Sequence, residues 1–209
     1  MLIPDIFTQV PSARPQRGVL HLGAHTCEEF PLYISLGLSP ADVVWVDANA
    51  DLKPAAMDTY WLAAVGDVDG APVVFHITDN MQSSSVLPLK HHLVEHPHVC
   101  EIAQRPLETV TLNTLLKQHN TPYDRFDVMN LDIQGAELMA LRGATELLPH
   151  IRAIYTEVNT KELYEGCALL PDLDAFLDGH GFTRVATAMT EHGWGDALYV
   201  KGGHQSGMA

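Results

Sequence analysis

Short apolar segments of strand length alternate with segments of helical spacing along most of this chain. The strand patterns lie at residues 18–22, 42–46, 60–65, 72–78, 126–131, 151–158, 182–188 and 197–201. The helical patterns lie at residues 27–37, 50–57, 86–98, 110–119, 135–148 and 172–179. Such alternation favours an α/β fold whose mostly parallel sheet has helices on both faces. Sheets of this kind bind ligands at the carboxyl ends of their strands, so we expect functional residues directly after the strands.

The 209 residues fit one domain, since single domains commonly contain about 100 to 250 residues. We expect an irregular, proline-containing arm over residues 1–17, a catalytic domain over 18–201 and a disordered tail over 202–209. The apolar fraction of 46% is typical of a globular protein with a core. We expect no export signal and no membrane anchor, because no apolar run approaches the roughly 18 residues of a membrane span.

Charge and cysteine usage restrict the partners and the compartment. The 26 acidic and 12 basic residues give a formal net charge of −14, which twelve partly protonated histidines would offset only in part. An acidic surface repels a phosphate backbone, so we expect no nucleic-acid partner. The three cysteines Cys27, Cys100 and Cys167 are scattered and form no CxxC pair, which suits a reducing cytoplasm. Nothing in the sequence defines an oligomeric state.

Informative polar residues follow three of the predicted strands. A glycine turn at Gly23 opens the first helix, and Asp47 follows Gly23 by 24 residues, the spacing at which a carboxylate can accept hydrogen bonds from ribose hydroxyls. The same spacing occurs in NAD-binding oxidoreductases, but the loop GAHTCEE lacks their further glycines. Glu28 and Glu29 would also repel a pyrophosphate, so the pattern favours S-adenosylmethionine. The plain alternative is a tight turn at Gly23 and a solvent-exposed carboxylate at Asp47.

Several longer segments resemble the FkbM family of S-adenosylmethionine-dependent methyltransferases. They are GAHTCEE, VVWVDAN, NMQSSSVL, NLDIQGAEL, YTEVNTKELYEGC and GWGDALYVK, and the resemblance covers residues 18–201. It implies a class I methyltransferase sheet of seven strands whose last strand runs antiparallel to the others. It also implies methylation of hydroxyl groups on sugars or natural products. One departure is Cys27, which stands where the family often has a second loop glycine, near the expected methionine site.

The pattern and the resemblance together predict a set of site residues. For the cofactor S-adenosyl-L-methionine we expect Gly23, Ala24, His25, Thr26, Glu29, Asp47, Ala48, Asn49, Ala64, Val65 and Asp132. For the acceptor we expect Gln82, Ser83, Ser84, Ser85, Gln134 and Asn159. Methyl transfer needs a base for the acceptor hydroxyl, and the candidates are Asp132, Glu157 and His25. Glu137 could instead serve the helix dipole and local hydrogen bonds.

We expect no metal site. His92 and His96 stand at i and i+4 beside His91, His98 and Cys100, but Pro97 interrupts the segment and a solvated helix end is the better interpretation. The sequence leaves open a divalent-ion site formed by Asp47, Asp132 and Glu157, because a magnesium ion can orient and acidify an acceptor hydroxyl.

Three functions therefore compete. The first is O-methylation of a sugar or glycan, with a natural product as the alternative acceptor. The others are a Rossmann oxidoreductase, which the glycine pattern disfavours, and a nucleoside-binding module without catalysis. Asp132 and Glu157 at the sheet edge favour the enzyme.

Overall fold

The computed structural model describes residues 2–3, 5–54 and 57–202. Within them the chain forms ten strands and six short α-helices. The strands are β1 (Val19–Leu22), β2 (Val43–Asp47), β3 (Tyr60–Leu62), β4 (Ala64–Val65), β5 (Pro72–Thr78), β6 (Glu101–Val110), β7 (Val128–Leu131), β8 (Ala153–Asn159), β9 (Phe182–Met189) and β10 (Trp194–Lys201). The helices are α1 (Ile6–Gln9), α2 (Phe30–Ser35), α3 (His92–Glu95), α4 (Leu112–Gln118), α5 (Glu137–Arg142) and α6 (Leu170–Asp178).

Seven of the strands form the main sheet in the order β3-β2-β1-β7-β8-β10-β9. Strands β1, β2, β3, β7 and β8 pair in parallel, whereas β10 pairs antiparallel with both β8 and β9. The expected α/β fold with an antiparallel last strand is therefore confirmed. The register between β10 and β8 places Asp196 directly opposite Glu157.

Helices cover both faces of this sheet, as expected. On one face, the apolar side chains of α4, α5 and α6 pack on β1, β2, β7 and β8. On the other face, Ile6 and Phe7 of α1 and Tyr33 of α2 pack with Trp45 and Tyr155. The strands β1 and β7 are buried along their whole length, since each lies between two other strands and under both helical layers.

A second, three-stranded sheet has the order β4-β6-β5 and differs from expectation in two ways. Residues 60–65 were expected to be one strand, but the chain leaves the main sheet at Ala63, whose N–H donates to the carbonyl of Asp47. The ten-residue β6 was not predicted, because most of its side chains are exposed and it lacks a buried apolar run. Its partners β4 and β5 supply the hydrogen bonds that define it.

The helices are shorter than the periodicity indicated. The longest, α6, has nine residues, and the pattern at 86–98 yields only the single turn α3. Where a helix was expected at 50–57, the structure has a 3-10 turn, Ala50–Leu52, and residues 55–56 lie outside the described part. None of the helices in the described ranges combines the length and apolarity that a bilayer crossing requires.

The expected arm over residues 1–17 packs on the domain where the structure describes it. Ile6 and Phe7 are buried, and the carbonyl of Ser12 accepts a hydrogen bond from Arg152. The backbone N–H groups of Gln16 and Arg17 donate to the carboxylate of Asp127. The expected disordered tail, apart from Gly202, lies outside the described residues.

Candidate active site

One large cleft of about 470 Å³ opens at the carboxyl ends of β1, β2 and β7. The segment 80–86 and residues of α3 line its opposite side. Most of the predicted site residues lie here: Gly23, His25, Glu29, Asp47, Ala48, Asn49, Ala64, Val65, Gln82, Ser83, Ser84, Ser85, Asp132, Gln134 and Glu157. The fold thus brings together residues that are more than a hundred positions apart in sequence.

The turn after β1 has room only for glycine. Gly23 has a φ of +84°, and its N–H donates to the carbonyl of Val46 at 2.9 Å. A Cβ atom at this position would lie 1.7 Å from the carbonyl oxygen of Asp132. The loops after β1 and β7 therefore touch through their backbones, and any side chain at residue 23 would force them apart.

Asp47 ties the end of β2 to the same turn. Its Oδ2 accepts the backbone N–H of His25 at 2.8 Å, and its Oδ1 accepts that of Asn49 at 2.7 Å. Burial raises the pKa of Asp47, although these hydrogen bonds favour the charged carboxylate. The orientation of the carboxylate is fixed, and its remaining lone pairs face the cleft.

His25 lies in the left-handed region with a φ of +41°, and its Nδ1 contacts Oε1 of Glu28 at 2.5 Å. Burial acts to raise the pKa of Glu28, but the hydrogen bonds from His25, from its own backbone N–H and from Thr26 together lower it. Burial raises the pKa of the neighbouring Glu29. The imidazole of His25 lines the cleft and contacts the carboxylate of Glu28.

The floor of the cleft holds two carboxyl groups joined by one amide. Nε2 of Gln134 donates to Oδ1 of Asp132 at 2.6 Å and to Oε2 of Glu157 at 2.8 Å. Oε1 of Gln134 accepts a hydrogen bond from the hydroxyl of Tyr164 at 2.6 Å. Both ends of the amide are thus occupied, and the amide orientation follows from its partners.

The two carboxyl groups have different surroundings. Glu157 is 6% exposed, and burial together with the charges of Asp132 and Glu137 raises its pKa well above the ordinary value. Burial, with the charge of Asp196, also raises the pKa of Asp132, while the hydrogen bond from Gln134 acts against the shift; this side chain lines the cleft and is exposed to solvent. The protonated form is therefore favoured more strongly at Glu157 than at Asp132.

A third carboxyl group, Asp196, was missed by the sequence analysis. It lies opposite Glu157 in the sheet, lines the cleft, and accepts hydrogen bonds from the hydroxyl of Tyr155 and the N–H of Leu2. A signal was present in GWGDALYVK, where one acid interrupts an otherwise apolar strand. Glu137, by contrast, lies behind the cleft, where its Oε1 accepts the N–H groups of Ile133 and Gly135. The expectation of local hydrogen bonds for Glu137 is confirmed.

The segment 82–85 lines one side of the cleft, and its serine side chains hold it in place by hydrogen bonds. Ser85 donates to the carbonyl of Gln134 at 2.7 Å, and Ser84 accepts the N–H of Thr78 at 3.1 Å. Ser83 is buried, and its hydroxyl lies 3.1 Å from Nε2 of His92. Gln82 is exposed at the rim.

The histidines near α3 correct an expectation. The sequence pattern predicts a solvated helix end. In the structure, however, His92 is only 5% exposed, and His92, His96 and His98 all line the cleft. Their rings lie close to one another, and His192 from the turn before β10 packs on His96 at 4.8 Å between ring centroids. Among the described residues, no group of three or more histidine, cysteine, aspartate or glutamate side chains is arranged to hold a metal ion.

Three predicted residues do not line the cleft. Ala24 is buried in the core on the α2 side, Thr26 is exposed beside His25, and Asn159 lies behind Glu157, to which its amide donates at 3.4 Å. Cys27 also points away from the cleft, since its Sγ lies 3.8 Å from Sδ of Met57. Its φ of +62° is strained for a side chain, which explains why the family often has glycine there.

One relative of the chain is a methyltransferase by its name. A 2-O-methyltransferase NoeI from Sinorhizobium fredii (strain NBRC 101917 / NGR234) is 34% identical to the chain over 84 residues. The matched region is 40% of this chain and 34% of the relative, so the chain spans about a third of the length of that relative.

Two solved structures match most of this chain at low sequence identity. Magnesium protoporphyrin IX methyltransferase (ChlM) from Synechocystis PCC 6803 with bound SAM has a TM-score of 0.44 and 12% identity, and the match covers 93% of this chain and 74% of that one. The pyocyanin biosynthetic protein PhzM has a TM-score of 0.38 and 10% identity, with coverage of 94% and 53%.

The family match covers most of the domain. Residues 21–184 match the methyltransferase FkbM domain, a range that contains Gly23, Asp47, Asp132 and Glu157. A match of this extent decides against a Rossmann oxidoreductase. The chain therefore belongs to the FkbM family of S-adenosylmethionine-dependent methyltransferases.

Proposed function

We propose that this protein transfers the methyl group of S-adenosylmethionine to a hydroxyl of a sugar or glycan, with Asp132 as the base. The observation that carries the proposal is the pair Asp132 and Glu157, which Gln134 bridges at the floor of the cleft next to the turn at Gly23. A base and a cofactor-binding turn in one cleft favour an enzyme over a nucleoside-binding module.

The residues around Gly23 and Asp47 suit the cofactor. The close backbone contact at Gly23 leaves no side chain between the turn and a ligand, and the fixed carboxylate of Asp47 can accept hydrogen bonds from two ribose hydroxyls. Ala48, Ala64 and Val65 line this part of the cleft and offer apolar contact to the adenine. When bound, the cofactor supplies an electrophilic methyl group on a positively charged sulfur.

The acid–base roles follow from burial. Asp132 faces the cleft as a carboxylate and can accept the proton of the acceptor hydroxyl as its oxygen attacks the methyl group. Glu157, whose pKa burial raises, is the protonated acid behind it, and the amide of Gln134 fixes both side chains. His25 is a weaker candidate for the base, because its Nδ1 is already engaged by Glu28.

The acceptor assignment has two supports. The relative NoeI is by its name a 2-O-methyltransferase, and segment 82–85 presents hydroxyl and amide groups to the cleft. Such groups pair with ring hydroxyls that both donate and accept hydrogen bonds. We also place the protein in the cytoplasm, since Cys27, Cys100 and Cys167 are free thiols.

Release of S-adenosylhomocysteine from S-adenosylmethionine in the presence of hydroxyl acceptors tests the proposal. We expect turnover with at least one sugar, and turnover lower by about 10²- to 10⁴-fold with the Asp132→Asn variant under the same conditions. Turnover confined to a peptide amine or a phenol would contradict the sugar assignment and leave the methyltransferase intact. Tight binding of the cofactor without turnover of any acceptor would indicate a nucleoside-binding module.

A further inference from the structure

The end of the cleft beside α3 has a distinct lining, which we call the histidine wall and define as His92, His96 and His98. The ring of His96 lies 4.8 Å from that of His92 and 6.1 Å from that of His98, measured between centroids. Trp194, at the start of β10, lines the same end of the cleft and is half-buried. The wall therefore combines imidazole nitrogens with aromatic ring faces.

Hydrogen bonds connect the wall to the reacting carboxyl groups. Nε2 of His92 lies 3.1 Å from the hydroxyl of Ser83, whose carbonyl accepts a hydrogen bond from Tyr164 at 3.2 Å. The hydroxyl of Tyr164 also contacts Gln134, the residue that bridges Asp132 and Glu157. An acceptor placed against the wall is thus in the same cleft as the proposed base.

The charge of the cleft opposes an anionic acceptor. Its lining contains Glu28, Glu29, Asp47, Asp132, Glu157 and Asp196, and no lysine or arginine is among the described residues that line it. Lys161, which lies behind the wall, donates to Glu95, and Glu95 also contacts His192 at 3.1 Å. The positive charge of Lys161 is therefore already paired with the carboxylate of Glu95, outside the cleft.

The surroundings of His92 and His96 favour their neutral forms. Burial, with the neighbouring His96 and His98, lowers the pKa of His92 to about 4. Burial, with His192 and His98, also lowers the pKa of His96. Neutral imidazole has one donor and one acceptor nitrogen, which suits hydroxyl groups. Nδ1 of His92 is buried and has no hydrogen-bond partner among the described residues, so a donor or acceptor on a ligand could satisfy it.

We propose that the histidine wall is the acceptor subsite and that it selects an uncharged sugar over one that carries a carboxylate or a phosphate. The inference rests on the proposed function and makes it more specific. The carboxylates beside the reacting hydroxyl repel an anion, and the wall offers hydrogen bonds and ring faces without a compensating charge.

The first experiment compares sugars that differ only at carbon 6. Methyl glycosides of glucose, galactose and mannose are tested beside their uronates and their 6-phosphates for release of S-adenosylhomocysteine. We expect turnover of the best neutral glycoside to exceed that of its charged counterparts by at least about tenfold, since like charges in a desolvated site cost several kcal/mol. Equal or faster turnover of a uronate or phosphate would overturn the proposal.

Variants of the wall provide a matched test. His98 is exposed at the rim, so His98→Lys adds a positive charge to the wall without disturbing the core. We expect it to raise uronate turnover relative to neutral turnover by about fivefold or more. His96→Gln, which stays uncharged, should keep the preference for neutral sugars. His150→Lys adds the same charge at an exposed site outside the cleft and should leave the ratio unchanged.

Binding is measured independently of turnover from the imidazole signals of ¹³C-histidine-labelled protein saturated with S-adenosylhomocysteine. We expect neutral glycosides to shift the signals of His92, His96 and His98, with little change from the uronates. If no glycoside shifts them, the wall is not a sugar subsite and the proposal fails. Failure of the proposed function itself is distinguishable, because the protein would then release no S-adenosylhomocysteine with any sugar, neutral or charged.

Discussion

The side-chain amide of Gln134 donates to Oε2 of Glu157 across 2.8 Å, which links the loop after β7 to the buried strand β8. The same amide donates to Asp132, and the backbone of Gln134 adopts a φ of +56° in doing so. A non-glycine residue in this region is strained by roughly 1–3 kcal/mol, a cost that surrounding contacts must offset. The hydroxyl of Tyr164 and that of Ser85 supply such contacts.

The first prediction replaces this amide with a carboxylate. Gln134→Glu puts a third carboxyl group between Asp132 and Glu157. It removes the N–H donor of both hydrogen bonds, so turnover should fall by about 100-fold or more. S-adenosylhomocysteine affinity, measured by calorimetry, should change by less than about threefold, because the cofactor turn does not involve Gln134. Gln118→Glu on α4, which adds the same charge at an exposed site, is the matched control. Unchanged turnover in Gln134→Glu would remove the bridge from the mechanism.

The second prediction separates the two carboxyl groups. If Asp132 is the charged base and Glu157 holds the proton, Asp132→Asn should lower turnover by about 10²- to 10⁴-fold. Glu157→Gln imitates the protonated acid and should lower turnover by only about tenfold. Both variants should keep their affinity for S-adenosylhomocysteine. The opposite order of the two losses would assign the base to Glu157.

The third prediction concerns the cofactor. Asp47→Ala removes the acceptor for two backbone N–H groups and for the ribose, so it should weaken S-adenosylhomocysteine binding by about 1.5 to 3 kcal/mol. Calorimetry on the folded variant measures this loss. Asp67→Ala, which removes an exposed carboxylate outside the cleft, should bind normally. Unchanged affinity in Asp47→Ala would exclude Asp47 from the cofactor site.

The fourth prediction is a pH dependence of stability. Burial raises the pKa of Glu137 from the ordinary 4.5 to about 7. Because the folded pKa is above the unfolded one, the folded state binds more protons, and this stabilisation is full below about pH 4.5 and is lost as the pH rises through about 7. Glu137→Gln keeps the oxygen that accepts the N–H groups of Ile133 and Gly135 but cannot ionise.

Urea unfolding at pH 5 and pH 8 measures the effect. Between these two values Glu137→Gln should lose less of its free energy of unfolding than the parent protein, by on the order of 1–3 kcal/mol. Glu165→Gln, at an exposed position, should follow the parent. If the slope of stability against pH is the same in Glu137→Gln as in the parent, ionisation of Glu137 does not limit stability in this range.

The sequence alone determined the α/β class and the positions of the buried strands β1, β2, β7 and β8, because the apolar periodicity of a buried strand is local to a few residues. It also placed Gly23 directly after β1, Asp47 at the end of β2, Asp132 directly after β7 and Glu157 near the end of β8. A parallel sheet brings the carboxyl ends of these strands to one edge. The family resemblance added the antiparallel β10, which no periodicity could reveal.

Only the tertiary structure decided which of these groups meet. The opposition of Asp196 to Glu157 depends on the register of two strands that are about forty residues apart, and the bridge at Gln134 depends on a left-handed turn. The histidines near α3 have the composition of a solvated segment, yet packing against Tyr164 and His192 turns them into the cleft. Strand β6 likewise exists through its pairing with β4 and β5 and not through its own pattern. Such contacts arise between segments distant in sequence, so their free energies are not encoded in any local window of residues.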